Sequence, residues 1–235
     1  MTQVHRAIAG ALLVSTSAVS AERLGVETDH LTLIATENAA RTGADLGARL
    51  GRTITGESLT FTHASQLQHL DWVILRAMHY REAISLGWTA IARSNRSQPI
   101  APFVVERKPL RHIATPGLSS SAHWLAKVLV PEAVTVEAYL NNANCLRAVI
   151  AGQVDACLTT IAAARGYTTR YGTPFKQVGR GINLPGDVLF RAPSMAGPTR
   201  IDALNGLRLT DGLQLTQWQS FDHRYYDGLL ARLPK

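Results

Sequence analysis

The sequence predicts an α/β protein of two lobes, each a parallel or mixed sheet flanked by helices, with a cleft between the lobes. Short apolar runs rich in β-branched residues alternate with helical patterns, which is the rhythm of parallel sheets. That rhythm starts again after Arg111, which indicates a second α/β unit. The hydrophobic fraction is 46% and the charged fraction is 17% over 235 residues, as in packed globular chains.

The first unit is predicted from alternating strand and helix patterns. We expect strands at residues 30–35, 59–62, 70–75, 88–92 and 102–106. Ala-rich periodicity predicts a helix that ends at Leu50, before Gly51, and shorter helices are expected at 64–69 and 78–86.

The second unit repeats the pattern. Strands are expected at 112–115, 134–139 and 154–158, with helices at 122–130 and 145–151 between them. A weak strand at 175–180 and an apolar run at 188–192 follow, and 199–235 is predicted to form one or two helices. We therefore place lobe I at 22–107 plus 190–235 and lobe II at 108–189, with crossings near Arg107 to Arg111 and near Val188 to Arg191.

The first 21 residues resemble an export signal. Arg6 precedes an apolar stretch, and the segment ends Val19-Ser20-Ala21, with small residues where signal peptidase requires them. The alternative is an ordinary N-terminal helix. We expect a periplasmic or secreted protein if residues 1–21 are a signal, and a cytoplasmic one if they are not.

Charge and cysteine content narrow the function classes. The net charge is +7, but the basic residues are scattered, which favours small anions over nucleic acid as partners. Cys145 and Cys157 are interpreted as small buried hydrophobic residues, and a disulfide between them is the alternative. Because no metal-ligand spacing accompanies them, we expect neither a metal nor a cofactor.

The loop Pro116-Gly117-Leu118-Ser119-Ser120-Ser121 is the strongest candidate site. It lies between a predicted strand and a predicted helix, where free N–H groups and the positive end of the helix dipole meet. The hydroxyls of Ser119, Ser120 and Ser121 add neutral donors, so the loop suits an oxyanion. The alternative is that a serine here only caps the helix.

Four further residues are predicted to approach a ligand. Thr36 and Asn38 follow the first predicted strand, and ligands of open parallel sheets bind beyond the carboxyl ends of the strands. Tyr80 and Asn142 offer a phenol and an amide near the ends of two other elements. The alternatives are helix capping for Thr36, Asn38 and Asn142, and packing for Tyr80. Asp155 is expected to be structural.

Sequence motifs of catalysis are weak throughout. The chain contains no GxSxG, HExxH, GxxxxGK[ST] or GxGxxG pattern, so no catalytic residue is assigned.

Several segments resemble one family. HIATPGLSSS, which ends at Ser121, is similar to the Ser/Thr-rich loop that holds the phosphonate group in phosphonate-, phosphate- and phosphite-binding proteins of ABC importers. CLRAVIAGQVDA, which starts at Cys145, resembles their "LrAvxxGevDa" segment, and NLPGDVL at 183–189 resembles their return strand. LDWVILRAMHY, which ends at Tyr80, is similar to a stretch in which a tyrosine follows a strand of the first lobe. The likeness extends over about residues 31–230.

The resemblance implies the type II periplasmic-binding-protein fold and a solute-binding protein that captures a small phosphonate- or phosphate-like anion for an ABC permease. We expect a monomer. The chain departs from the family at Asn142 and Asn144, where members usually carry a histidine before the helix. An alternative is a lyase of the prephenate dehydratase or decarboxylase type, which shares this fold and which residues 155–167 resemble.

Overall fold

The structure is a computed structural model, and it describes residues 20–28, 33–95, 97–117, 120–195, 208–211 and 214–231. The predicted signal segment lies outside these residues except for Ser20 and Ala21. Among the described helices, none is long and apolar enough to cross a membrane. Two sheets form the framework, and each is flanked by helices.

The strands of the first sheet are β1 (Glu22–Glu27), β2 (Ile54–Leu59), β3 (Trp72–Leu75), β4 (Thr89–Ser94), β11 (Val188–Arg191), β12 (Arg208–Asp211) and β13 (Gln214–Ser220). Their order in the sheet is β12-β13-β4-β11-β3-β1-β2. β1, β2 and β3 are parallel to one another, and β11 runs antiparallel to its neighbours β3 and β4.

The strands of the second sheet are β5 (Gln98–Val104), β6 (His112–Thr115), β7 (Thr135–Ala138), β8 (Ala156–Thr160), β9 (Lys176–Gln177) and β10 (Ile182–Leu184). Their order in the sheet is β10-β5-β8-β6-β7, and β9 pairs with β5. β6 is parallel to both β7 and β8, and β5 is antiparallel to β8.

The described helices lie on both sheets. They are α1 (Leu33–Leu50), α2 (Tyr80–Ser85), α3 (Ser121–Leu129), α4 (Asn142–Ile150), α5 (Ile161–Tyr171) and α6 (His223–Leu230), with 3-10 turns at Ala64–Leu67 and Ala77–His79.

The chain passes between the sheets twice. The first passage joins the end of β4 to the start of β5, upstream of the crossing expected near Arg107 to Arg111, because β5 pairs in the second sheet. The return passage joins β10 to β11 through residues 185–187, close to the expected crossing near Val188. The Ser94 N–H donates to the Asp187 carbonyl at 2.8 Å, so the two passages are tied together.

The first strand is not where the apolar pattern placed it. Residues 30–32 lie outside the described residues, and Leu33 to Ala35 begin α1. Leu33 and Ile34 are 75% and 55% exposed, so this apolar run is not a buried strand. The strand is instead β1, in which Leu24 is buried between β2 and β3.

Two glycines allow α1 to lie close against β2. A Cβ on Gly43 would come within 2.5 Å of the Gly56 nitrogen, and a Cβ on Gly56 would come within 1.8 Å of the Ala39 carbonyl oxygen. Because backbone atoms cannot yield at such distances, only glycine permits this helix-on-strand contact.

The cysteine interpretation was wrong. Cys145 in α4 and Cys157 in β8 are both fully buried, as expected, but they form a disulfide. The sequence separation of 12 gave no sign of the pairing, because the contact depends on how α4 folds back onto the sheet. The disulfide joins α4 to the strand that it covers.

The C-terminal segment also differs from the sequence-based expectation. It contains the β12–β13 hairpin before α6, and β13 pairs with β4. The Asn95 N–H donates to the Gln217 carbonyl at 2.9 Å, beside the first passage. The fully buried Tyr226 of α6 donates its hydroxyl to the Gly186 carbonyl in the return passage, and burial raises the pKa of this phenol. The C-terminal segment therefore braces both passages.

We expect removal of the disulfide to destabilise lobe II. The variant Cys145→Ala, Cys157→Ala should lose about 2–5 kcal/mol of unfolding free energy, because the unfolded chain is no longer constrained. Urea unfolding of this variant and of the oxidised wild type measures the difference. Free thiols titrated in the unreduced wild-type protein would show that the disulfide is not formed.

We expect Tyr226→Phe to destabilise the protein by about 1–3 kcal/mol, because the buried Gly186 carbonyl loses its donor. Tyr225→Phe is the matched control. Tyr225 precedes Tyr226 in α6 and is 42% exposed, so its change should stay within about 0.5 kcal/mol. Equal effects of the two substitutions in urea unfolding would show that the hydrogen bond from Tyr226 to the Gly186 carbonyl does not stabilise the protein.

Candidate ligand-binding cleft

Both passages leave the sheets at the edges where the parallel strands end. In the first sheet, Val188 pairs with Leu75, the last residue of β3, and with Arg93, the last but one of β4. In the second sheet, Ile100 near the start of β5 pairs with Thr160, the end of β8. The carboxyl ends of the strands in the two lobes therefore face a common cleft, as is usual for ligand sites in α/β sheets.

Three helices begin at the cleft edge of the second sheet. α3, α4 and α5 follow the parallel strands β6, β7 and β8, so their N-termini lie along one edge. Each has a side-chain cap at the residue before it: Ser120, Asn141 and Thr160. Each cap accepts from the third N–H of its helix, at 3.1, 2.9 and 3.2 Å. The first two N–H groups of each helix have no intrahelical acceptor.

The serine loop contributes both a cap and a ligand candidate. Ser120 Oγ donates to the Gly117 carbonyl at 2.7 Å and accepts from the His123 N–H, so the capping alternative is confirmed for this residue. Ser121, the first residue of α3, is only 7% exposed, and its hydroxyl has no hydrogen-bond partner among the described residues. Ser119 lies outside the described residues.

Two hydrogen bonds support this edge from beneath. Thr159 Oγ1 donates to Asn142 Oδ1, which leaves the Asn142 NH2 group as the donor toward the cleft edge. The fully buried Thr115 lies 2.8 Å from His123 Nδ1 through its Oγ1. Burial lowers the pKa of His123, which favours the neutral imidazole.

Asp155 has the structural role expected for it. Its carboxylate accepts from the backbone N–H groups of Arg111 and His112 at 3.0 and 2.8 Å. These residues lie where β6 and β8 begin, at the edge opposite the cleft.

The cleft edge of the first sheet carries charged side chains. Glu27 ends β1, and its side chain is only 2% exposed. Its carboxylate accepts from the Arg76 backbone N–H at 2.8 Å and lies 3.8 Å from Arg76 Nη1. His79 Nε2 lies 3.2 Å from the same carboxylate.

Thr36 and Asn38 lie within α1 rather than in a loop after a strand. Thr36 is exposed, and its Oγ1 lies 3.3 Å from the Ser58 hydroxyl near the carboxyl end of β2. The Asn38 carbonyl accepts from Thr42 Oγ1 at 2.8 Å. Thr36 is therefore near the cleft edge, and a ligand contact stays a prediction for both residues.

Tyr80 lies in an aromatic cluster beneath the C-terminal helix. It is 3% exposed, its ring stacks on Phe221 at 5.4 Å, and its hydroxyl lies 2.9 Å from His223 Nδ1. Burial, followed by the charge of Asp227, raises the pKa of this phenol. These contacts favour the packing alternative for Tyr80.

Glu27 and Arg76 were missed in the sequence. Because the first strand was placed too late, Glu27 stood in no element. Arg76 directly follows the buried strand WVIL. A charged residue at the carboxyl end of a buried strand is the pattern that could have indicated a cleft residue.

No family model matches the chain, and no curated protein matches it. Among solved structures, the Xanthomonas citri protein XAC2383 is similar, at 15% identity over 90% of this chain and 96% of its own. Its TM-score is 0.64 for the form bound to chloride ion and 0.63 for the form bound to ATP.

Two solute-binding proteins are also similar. A binding protein component of an ABC phosphonate transporter from Pseudomonas aeruginosa has a TM-score of 0.60, 13% identity, and coverage of 90% of this chain and 83% of its own. A periplasmic binding protein from Silicibacter pomeroyi in complex with lysine has a TM-score of 0.51, 14% identity, and coverage of 74% and 83%. The chain therefore has the bilobal type II fold of periplasmic solute-binding proteins.

Proposed function

We propose that the protein captures a small anionic ligand of the phosphonate or phosphate type between its lobes and delivers it to an ABC importer. The observation that carries the proposal is the edge where three capped helices begin, with Ser121, a residue only 7% exposed, as the first residue of α3. The Ser121 hydroxyl is not one of the buried unpartnered atoms of the described residues, so it can serve as an additional donor to a ligand oxygen.

The donors at this edge suit an oxyanion. The free N–H groups of α3, α4 and α5 and the amide of Asn142 are neutral donors, and the helix N-termini add positive potential. Such donors stabilise a bound negative charge without the cost of burying a positive charge that is unpaired before binding. Ser119 and Thr36 are proposed as further contacts, the latter from the first lobe.

Two of the similar proteins support the ligand class, whereas the Silicibacter pomeroyi protein was solved with lysine. One belongs to a phosphonate transporter, and another was solved with ATP and with chloride. Phosphonate, the phosphates of ATP and chloride are all anions. The reported neighbours include a binding protein component of an ABC transporter, and this supports transport over the lyase alternative.

The disulfide supports export. Disulfides persist in oxidising compartments such as the periplasm and are rare in the cytosol. Cys145–Cys157 is buried in lobe II, so it serves as a structural link rather than an exposed redox centre. We propose that residues 1–21 direct the chain to the periplasm, where it meets its permease.

We expect Ser121→Ala to weaken binding of methylphosphonate or inorganic phosphate by about 10- to 100-fold, since a hydrogen bond to a charged group contributes about 1.5–3 kcal/mol. Isothermal titration calorimetry on protein unfolded, dialysed and refolded to remove bound solute gives the affinities. Ser85→Ala is the control, because Ser85 is exposed on α2 and donates to the Glu82 carbonyl.

Two outcomes would count against the proposal. Unchanged affinity in a folded Ser121→Ala variant would remove Ser121 from the site. Failure of both anions to bind the wild type, with lysine or glutamine binding instead, would overturn the anionic class.

A further inference from the structure

A cluster of charged side chains lies in the first lobe, apart from the neutral anion donors of the second lobe. Glu27, Arg76 and His79 lie at the carboxyl ends of β1 and β3. The side chain of Glu27 is 2% exposed, whereas those of Arg76 and His79 are 13% and 14% exposed. The negative group is therefore the most deeply buried of the three, and the basic groups lie nearer the surface.

Glu27 orients Arg76. A buried carboxylate is stable only when it is paired and hydrogen-bonded, and the Arg76 backbone N–H at 2.8 Å and the Arg76 guanidinium at 3.8 Å supply both. Arg76 makes further contacts within the protein. A guanidinium has five N–H donors in a planar fork, so it can keep a carboxylate partner and also donate to an oxyanion.

Strand order places Arg76 across the cleft from the anion donors. Counting away from the passages, β3 comes before β1 and β2 in the first sheet, and β8 comes before β6 and β7 in the second. When the two lobes close about the passages, we expect strands that are equally far from the passages to lie opposite each other. On that expectation, the end of β3, with Arg76, faces the end of β8, where α5 begins at the Thr160 cap.

We propose that Arg76 binds the ligand from the first lobe, with Glu27 as its positioning residue, and that the ligand is a compact anion of two or more negative charges. The proposal rests on the proposed function and names its ligand class. The neutral donors of one lobe are enough for a monoanion, whereas a phosphate-like dianion has enough oxygens to accept hydrogen bonds from both lobes. The guanidinium then favours closure of the lobes over the ligand.

The same geometry disfavours a zwitterionic amino acid. Its ammonium group requires an accessible acceptor on one lobe. Of the carboxylates in contact with this cluster in the described residues, Glu27 is buried and paired, and Glu82 lies 3.7 Å from His79 Nδ1 on α2. Glu27 is therefore not available as that acceptor, and the Glu82 side chain, which is 47% exposed, lies beside His79 rather than Arg76.

The test compares Arg76→Gln, Arg76→Lys and Arg81→Gln by isothermal titration calorimetry with inorganic phosphate, methylphosphonate and lysine. We expect Arg76→Gln to weaken phosphate binding at least about tenfold. Arg76→Lys keeps the charge beside Glu27 but loses the planar fork, so it should fold normally and bind with intermediate affinity. Arg81 is exposed on α2, and its substitution should leave affinity unchanged.

The outcomes separate the two proposals. If phosphate binds the wild type and Ser121→Ala weakens it, but neither Arg76 variant does, Arg76 is not a ligand residue and the proposed function stands. If lysine binds more tightly than phosphate, the dianion class is overturned. If no anion binds the wild type, both proposals fail. Melting temperatures near that of the wild type are required of each variant compared.

Discussion

The two chain passages between the sheets are the constraint on which the site depends. Both leave at the edges where the parallel strands end, and the hydrogen bond from Ser94 to Asp187 holds them side by side. The carboxyl ends of β1 and β3 in one lobe and of β6, β7 and β8 in the other must therefore face each other. The buried hydroxyl of Tyr226, donated to Gly186, fixes the same region from the C-terminal helix.

The chemistry of the cleft follows from that geometry. A helix that begins at a strand end presents N–H groups that the helix itself cannot satisfy, and this happens three times along one edge. The capping side chains of Ser120, Asn141 and Thr160 each satisfy only one N–H group. The second lobe thus has neutral donors, whereas the first has a guanidinium supported by a buried carboxylate. In the proposed function, an anion between the lobes is contacted by donors of both kinds.

Much of the second lobe could be predicted because its signals are local. The strand at 112–115, the helix that follows the serine loop and the structural role of Asp155 all came from short-range patterns. The first lobe was harder. The apolar pattern at Leu33 and Ile34 predicted a buried strand although both residues are exposed. β1 has a glutamate at each end, so its own sequence predicts a strand only weakly. Its partners β2 and β3 stabilise it, and those lie far along the chain.

The sequence by itself determined the α/β class, the two-unit organisation and the place of the serine loop, because hydrophobic period and helix capping act over a few residues. Tertiary structure alone decided the Cys145–Cys157 disulfide, the burial of Tyr80 and the pairing of Glu27 with Arg76. These contacts join residues on different elements. They depend on strand order and on the passages between sheets, which no local pattern specifies.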